Sequence, residues 1–160
     1  MDYRSFTTFC AHHNAKWLAG IFGFNCTTGN GIDVFGEEHG IELKNRSRDW
    51  YPTWTIHAYQ IDLFQKQNPG KELFWGFLLY RPTKTVRSIR PRDFPSVITD
   101  REVWLIDWDW AKTQPVHHPR TGPYVYARQK YFPPNNTFSC HKRNGGILHV
   151  PKNSSLEDLL

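Results

Sequence analysis

An α/β fold is predicted by three patterns in this chain of 160 residues. In the first segment, apolar side chains recur every three or four residues, which is typical of an amphipathic helix. Apolar and polar side chains then alternate on both sides of a short connection bounded by glycines, which indicates a β-hairpin. After a second helical segment, residues 73–80 form a continuous apolar run, as expected for a central strand that is covered on both faces.

The first predicted helix covers residues 6–21 and turns an aromatic face inward. The side chains that recur on this face are Phe6, Phe9, Cys10, His13, Trp17, Leu18 and Ile21. Asp2 is a suitable N-cap, because its carboxylate can accept a hydrogen bond from a free backbone N–H group of the first turn. Gly20, Gly23 and the sequence TTGNG at 27–31 end the helical periodicity.

The hairpin is predicted to pair residues 32–34 with residues 41–44. Side chains two positions apart on a strand share a face, so Glu42 and Lys44 point the same way while their apolar neighbours enter the core. Asp33 would then lie opposite this face, which brings two carboxylates to one ammonium group.

The second half of the chain is predicted to contain a helix at 53–67 and strands at 103–110 and 124–132. The sequence NPG at 68–70 ends the helix. The predicted helix face consists of Ile56, Tyr59, Gln60, Leu63 and Phe64. The alternation in the first of the two strands places together Trp104, Ile106, Trp108 and Trp110.

Composition favours a single folded domain over residues 1–160. Hydrophobic residues make up 39% and aromatic residues 16% of the chain, which is too much for a disordered protein. The net charge of +5 suits a polyanionic partner without requiring one. Three widely spaced cysteines indicate neither a disulfide framework nor a zinc knuckle. The sequence lacks a signal peptide and any apolar run of membrane-spanning length, so we expect an intracellular protein with no membrane partner.

The predicted cluster of two carboxylates and a lysine has the chemistry of a magnesium site. Mg²⁺ prefers oxygen ligands and takes one or two carboxylates, leaving positions for water and phosphate. Such an ion activates water and neutralises charge on a phosphate, while Lys44 can orient the water or stabilise the phosphate. A solvated strand face would also produce this pattern of residues.

Asp33 followed by Glu42-Leu43-Lys44 resembles the PD-(D/E)XK nuclease superfamily. The resemblance implies a restriction-endonuclease-like α-β-β-α-β core with a central mixed sheet flanked by helices, at about residues 5–110, and a C-terminal elaboration at about 111–160. It also implies that Asp33, Glu42 and the Leu43 backbone carbonyl hold Mg²⁺, for which Mn²⁺ is expected to substitute, and that Lys44 serves the attacking water. This chain departs from the family in having Ile32 before the Asp, and its first helix lacks the acidic residue that some members use.

Gln60 carries a second resemblance, since many exonuclease-like and resolvase-like members place a Gln on the helix after the Lys strand. A Gln on an apolar face also needs a hydrogen-bonding partner, because burying it alone costs about 1–3 kcal/mol. We therefore expect Gln60 to reach the catalytic site, although a partly exposed or core-satisfied Gln is an alternative.

The expected substrate is DNA, cut by a restriction-like or structure-specific endonuclease that acts as a homodimer. The residues expected to contact phosphates are Arg46, Arg48, Lys84, Arg87, Arg90 and Arg92. A solvated loop is the alternative for the last four. The rival function is a non-catalytic nucleic-acid-binding module, in which Trp50, Tyr51 and Trp54 stack on bases.

Overall fold

The computed structural model of this chain describes residues 2–27, 31–49, 51–93, 96–133 and 138–143. Within these residues, two α-helices and nine strands follow one another as α1 (Tyr3–Phe22), β1 (Asn25–Cys26), β2 (Val34–Phe35), β3 (His39–Ser47), β4 (Thr53–His57), α2 (Ala58–Gln67), β5 (Glu72–Pro82), β6 (Ile98–Asp107), β7 (Val116–His117), β8 (Tyr124–Arg128) and β9 (Phe138–Arg143). Short 3₁₀ helices lie in the connections.

The central sheet has six strands in the order β1-β2-β3-β5-β6-β9. Strands β3 and β5 are parallel and the other neighbours are antiparallel, so the sheet is mixed. Parallel neighbours need a long crossover connection, and the segment that contains α2 supplies it. The apolar run at 73–80 is buried throughout and lies in the middle of this sheet. The predicted α/β class and the central strand are therefore confirmed.

Helix α1 covers one face of the sheet, and its predicted N-cap is confirmed. The Asp2 carboxylate accepts a hydrogen bond from the backbone N–H of Ser5 at 2.9 Å. The helix ends at Gly23, which adopts a left-handed conformation with φ of 68° that a residue with a side chain rarely takes. The buried side chains of the helix, among them Cys10 and Leu18, pack in one cluster with alternate residues of the central strands.

A second, three-stranded sheet covers the other face together with α2. Its order is β4-β8-β7, and all its pairs are antiparallel. The core between the layers is rich in tryptophan: the rings of Trp75 and Trp108 stack at 3.9 Å, and the Trp75 indole N–H donates to the Trp108 carbonyl. Both faces of the central sheet are thus buried, which matters for the polar residues that β3 carries.

The helix predicted at 53–67 is wrong in its first third, because residues 53–57 form strand β4 and the helix begins at Ala58. This segment is rich in β-branched and aromatic residues, which favour strands, and it pairs with β8 some 70 residues later. The inward face of α2 also differs from the prediction. Ile61 and Phe64 are buried, whereas Tyr59 and Leu63 are exposed.

The strand predicted at 103–110 is longer at its start and shorter at its end. Strand β6 begins at Ile98 and stops at Asp107, and a 3₁₀ helix follows at Trp108–Thr113. The Asp107 carboxylate accepts a hydrogen bond from the backbone N–H of Asp109, which turns the chain out of the sheet. The strand predicted at 124–132 is confirmed for its first five residues as β8.

None of the helices in the part of the chain that the structure describes is long and apolar enough to cross a membrane.

Candidate metal and nuclease site

The pairing of β2 with β3 brings the predicted carboxylates together. Val34 lies opposite Ile41, so Asp33, just before β2, faces the position of Glu42. The Asp33 carboxylate accepts a hydrogen bond from the backbone N–H of Leu43 at 2.8 Å. This bond ties the segment before β2 to the edge of β3 and sets the direction of the carboxylate.

Glu42 is buried, although the predicted pattern also allowed a solvated strand face. Only 6% of the residue is exposed. One of its carboxylate oxygens, Oε1, accepts a hydrogen bond from Lys44 Nζ at 2.9 Å. The other oxygen, Oε2, is buried and has no hydrogen-bond partner among the described residues. An unsatisfied buried acceptor of this kind costs about 1–3 kcal/mol, and more when it is charged.

Burial raises the pKa values of both carboxyl groups. The pKa of Glu42 rises from 4.5 to about 7, first because of burial and also because of the neighbouring Asp33 carboxylate, while Lys44 opposes the rise. Burial also raises the pKa of Asp33, against the lowering effects of the Leu43 N–H group and of Lys44. Two carboxylates next to each other in a poorly solvated place resist carrying two negative charges at once. A divalent cation between them would remove that resistance.

Gln60 lies in the first turn of α2 and contacts Lys44. The amide oxygen of Gln60 accepts a hydrogen bond from Lys44 Nζ at 3.0 Å. The ammonium group also lies 5.8 Å from the centre of the Trp75 ring. Four predicted residues, Asp33, Glu42, Lys44 and Gln60, therefore meet in one connected cluster.

The Leu43 carbonyl lies on the same side of β3 as Asp33. In a strand, the N–H and C=O groups of one residue point to the same edge, and the N–H group of Leu43 points to the Asp33 carboxylate. Within the described residues, β2 pairs with Gly40 and Ile41 alone, and no strand covers this edge from Glu42 onward. Backbone and carboxylate oxygens thus converge on an open strand edge.

This set of donors fits a magnesium ion. It consists of oxygen atoms, and it offers two carboxylates, which is the usual protein contribution to Mg²⁺. No three His, Cys, Asp or Glu side chains gather as a metal-binding group in the ranges that the structure describes. Glu42 Oε2, which is buried and has no hydrogen-bond partner among the described residues, could serve as one of its ligands.

A cleft of about 370 Å³ opens beside Lys44. It lies between α1 and the second sheet, and its walls include Thr7, Ala11, Arg46 and Thr55. A second hollow on the α1 side is lined by Asp33 and His12, among others. The cluster is therefore reachable from outside even though its carboxylates are mostly buried.

Sequence reasoning missed His12 as a neighbour of Asp33. Its Nδ1 atom is buried and has no hydrogen-bond partner among the described residues. Thr8, His12 and Ala15 all line the hollow beside Asp33, and their spacing of four and three residues could have identified them as one helix face.

The predicted phosphate-binding residues lie in two parts of the chain, at the end of β3 and on the connection after β5. Arg46 shares a face of β3 with Glu42 and Lys44 and lines the same cleft as Lys44. Arg48 donates to the Glu102 carboxylate at 2.7 Å. The other four, Lys84, Arg87, Arg90 and Arg92, are exposed on the connection after β5.

That connection is distant from the carboxylates along the sheet. Trp75 on β5 is the register partner of Glu42. From Trp75 to Arg81, near the end of β5, the strand rises by about 20 Å at 3.3 Å per residue. Arg90 Nε forms an ion pair with the Asp93 carboxylate at 3.4 Å. The loop can therefore contact a ligand only at some distance from the cluster.

Two aromatic residues of the rival hypothesis have clear positions. Trp54 is 3% exposed and packs against Phe77 at 5.2 Å, so its predicted role as a stacking platform for bases is wrong. Tyr51 is 85% exposed and can still stack on a ligand. Trp50 lies outside the described residues.

Cys10 behaves as an ordinary core residue. Its side chain is buried, and burial raises the pKa of the thiol to about 12. Such a thiol remains protonated near neutral pH and is a poor nucleophile.

Comparisons with known protein families, with curated proteins and with solved structures give no match to this chain.

Proposed function

We propose that this chain is a magnesium-dependent nuclease that hydrolyses phosphodiester bonds in DNA. The observation that carries the proposal is the buried Glu42 next to the partly buried Asp33, with a carboxylate oxygen of Glu42 that has no hydrogen-bond partner among the described residues, beside Lys44. A solvated strand face would not bury a carboxylate with one oxygen left without a hydrogen bond, because such burial costs free energy that a bound metal ion would offset. The likeness to the PD-(D/E)XK arrangement supports the same conclusion.

The order of the elements also supports a restriction-endonuclease-like core. The helix α1, the β2–β3 hairpin, the helix α2 and strand β5 follow in the expected order. Strand β4 is an addition between the hairpin and α2, and it belongs to the second sheet. The parallel pairing of β3 and β5 brings the strand that carries Glu42 and Lys44 to the middle of the molecule.

The ligands of the ion would be the Asp33 carboxylate, Glu42 Oε2 and the Leu43 carbonyl. When bound, Mg²⁺ would supply activation of water and neutralisation of the charge on the phosphate. An ammonium group has three N–H donors, and Lys44 uses two of them on Glu42 and Gln60. The third is left for the substrate, where it can orient the attacking water or stabilise a phosphate oxygen.

Gln60 acts in this scheme as a positioning residue. Its amide oxygen, on α2, accepts a hydrogen bond from the Lys44 ammonium group, which also donates to Glu42 on β3. A fixed ammonium requires no reorganisation when negative charge develops on the phosphate, which is the condition for effective electrostatic stabilisation.

The direct test is cleavage of labelled duplex, junction, flap and single-stranded DNA, and of a closed plasmid, with Mg²⁺ or with EDTA. We expect cleavage that needs Mg²⁺, and loss of at least about 100-fold in rate for Asp33→Asn and for Glu42→Gln, since each removes a metal ligand. Asp62→Asn is the matched control, because Asp62 is an exposed carboxylate on α2. Cleavage that survives in either site variant would refute the assigned site, and DNA binding without cleavage of any substrate would favour the binding module.

A further inference from the structure

The outward face of the second sheet carries aromatic rings next to positive charges. Alternate residues of a strand share a face, and Trp54, Ile56, Val125 and Ala127 point into the core. The residues between them, on β4 and β8, must point outward. They include Thr55, which lies opposite Tyr126 in the pairing of the two strands.

Three rings form a continuous aromatic surface on this face. The centres of Tyr124 and Tyr126 are 4.8 Å apart, and the ring of His117 stacks on Tyr124 at 5.3 Å. The hydroxyl groups of the two tyrosines hydrogen-bond at 3.1 Å, which fixes their relative orientation. Beside them, Tyr131 is 55% exposed and Tyr51 is 85% exposed. Rings that are held in place and remain partly or largely exposed are suited to stack on planar ligands.

The charges around these rings are positive. The Arg128 guanidinium lies 5.5 Å from the centre of the Tyr126 ring, and Lys130 Nζ lies 5.0 Å from that of Tyr131. Both cations, together with Arg46, line a hollow of about 460 Å³ in which the described lining includes no acidic side chain. The Nε atom of Arg46 is buried and has no hydrogen-bond partner among the described residues. The Arg46 guanidinium thus keeps hydrogen-bonding capacity that the described residues do not use, in a hollow whose charged lining residues are all positive, and both features favour an anionic ligand.

This hollow continues from the cleft beside the catalytic lysine. Arg46 lines both, and it lies two residues beyond Lys44 on the same face of β3, a rise of about 7 Å. Thr55 lines the cleft as well and borders Tyr126 on the next strand. A polyanion that places one phosphate at Lys44 can pass Arg46 and reach Arg128 without leaving the surface.

We propose that this aromatic and basic surface binds an unpaired strand of DNA, so that the substrate carries a single-stranded segment next to the bond that is cut. The inference rests on the proposed nuclease function and deepens it by naming the class of substrate. Stacking on exposed rings requires free base faces, and in a duplex these faces are covered by neighbouring bases. Positive side chains alone would bind duplex DNA equally well; the rings select the unpaired strand.

The test measures binding of a labelled oligo-dT and of a duplex of equal length by fluorescence anisotropy, in EDTA so that no cleavage occurs. We expect the wild-type chain to prefer the single strand. Tyr126→Leu removes the ring, and Arg128→Gln removes the charge without removing the stem. Each should weaken binding of oligo-dT by about tenfold or more, whereas duplex binding should change less for the Tyr126 variant.

Two matched controls separate stacking from general effects. Tyr126→Phe keeps the ring and removes only its hydroxyl group, and Lys66→Gln removes an exposed positive charge on α2. Both should bind oligo-dT within about twofold of wild type. Thermal unfolding of each variant checks that it is folded. If Tyr126→Leu unfolds the sheet, Arg128→Gln still tests the surface, because Arg128 is exposed and its replacement leaves the core intact.

Equal or tighter binding of the duplex by wild type, or unchanged binding of oligo-dT by both surface variants, would overturn the proposal. The nuclease function is judged separately, by cleavage with Mg²⁺ in the Asp33 and Glu42 variants. If binding of oligo-dT depends on Tyr126 and Arg128 but no DNA is cut, the nuclease activity is refuted and the proposed binding surface is supported. If blunt duplex is cut as fast as flapped DNA, the nuclease activity is supported and the proposed role of the surface in binding an unpaired strand is overturned.

Discussion

Lys44 Nζ lies 3.0 Å from Gln60 Oε1, and this hydrogen bond joins strand β3 to the first turn of α2. The same ammonium group donates a second hydrogen bond to Glu42 Oε1 at 2.9 Å. A lysine side chain is long and flexible, and two acceptors of this kind restrict it to one position.

Gln60→Ala should reduce cleavage by more than tenfold, about 1.4 kcal/mol of transition-state stabilisation, because the Lys44 ammonium loses one of its two acceptors. Substrate binding should change little. The measurements are the single-turnover rate and the melting temperature of the same variant. Gln65→Ala, at an exposed position on α2, serves as the control. A lower melting temperature with an unchanged rate would make Gln60 a structural residue only.

Stability without metal should fall as the pH rises through neutrality. Burial and Asp33 raise the pKa of Glu42 from 4.5 to about 7, so the folded state favours the protonated form. The corresponding stability is fully present below pH 4.5 and is lost as the pH rises through 7, to an extent of about 3 kcal/mol at most. Denaturant unfolding in EDTA at pH 5.5 and pH 8 measures the loss. Glu42→Gln should reduce this dependence on pH, and an equally steep dependence in that variant would contradict the assignment.

Mg²⁺ should raise the melting temperature, and more so at pH 8 than at pH 5.5, because the ion competes with protons for the same carboxylates. The shift should be absent in Asp33→Asn and Glu42→Gln. Ca²⁺ should also stabilise the chain and support DNA binding, but it should not support efficient cleavage, since it coordinates more loosely than Mg²⁺. Robust turnover in Ca²⁺ alone would argue against the proposed ligand set.

The basic loop after β5 should contribute to DNA affinity without selecting a sequence. Neutralising Lys84 and Arg92 together should flatten the slope of log K against log salt by about one for each lost phosphate contact. The slope is measured by titrating binding of one labelled DNA between low and moderate salt. Lys112, which pairs with Asp109 at 2.9 Å, provides a control substitution to Gln. If the slope of the loop variant equals that of wild type, the loop is a solvated surface.

Local patterns in the sequence determined the elements whose contacts are close along the chain. The helical spacing and Asp2 predicted α1, and the alternation around the turn predicted that Asp33 would meet Glu42 and Lys44. These predictions hold because a helix or a hairpin depends on neighbours within a few residues, and a register shift would expose the apolar set. The apolar run of β5 likewise required a position covered on both faces.

Tertiary structure decided what surrounds those elements. Residues 53–57 became a strand because β8 lies beside them, a pairing across some 70 residues that no local window contains. That pairing also moved the start of the helix to Ala58 and so placed Gln60 within reach of Lys44. Glu42 is buried in the packed structure, and this burial is the main cause of its raised pKa. Which face of a strand lies in water is a property of the packed layers, and the alternation of residues along β3 allowed either outcome.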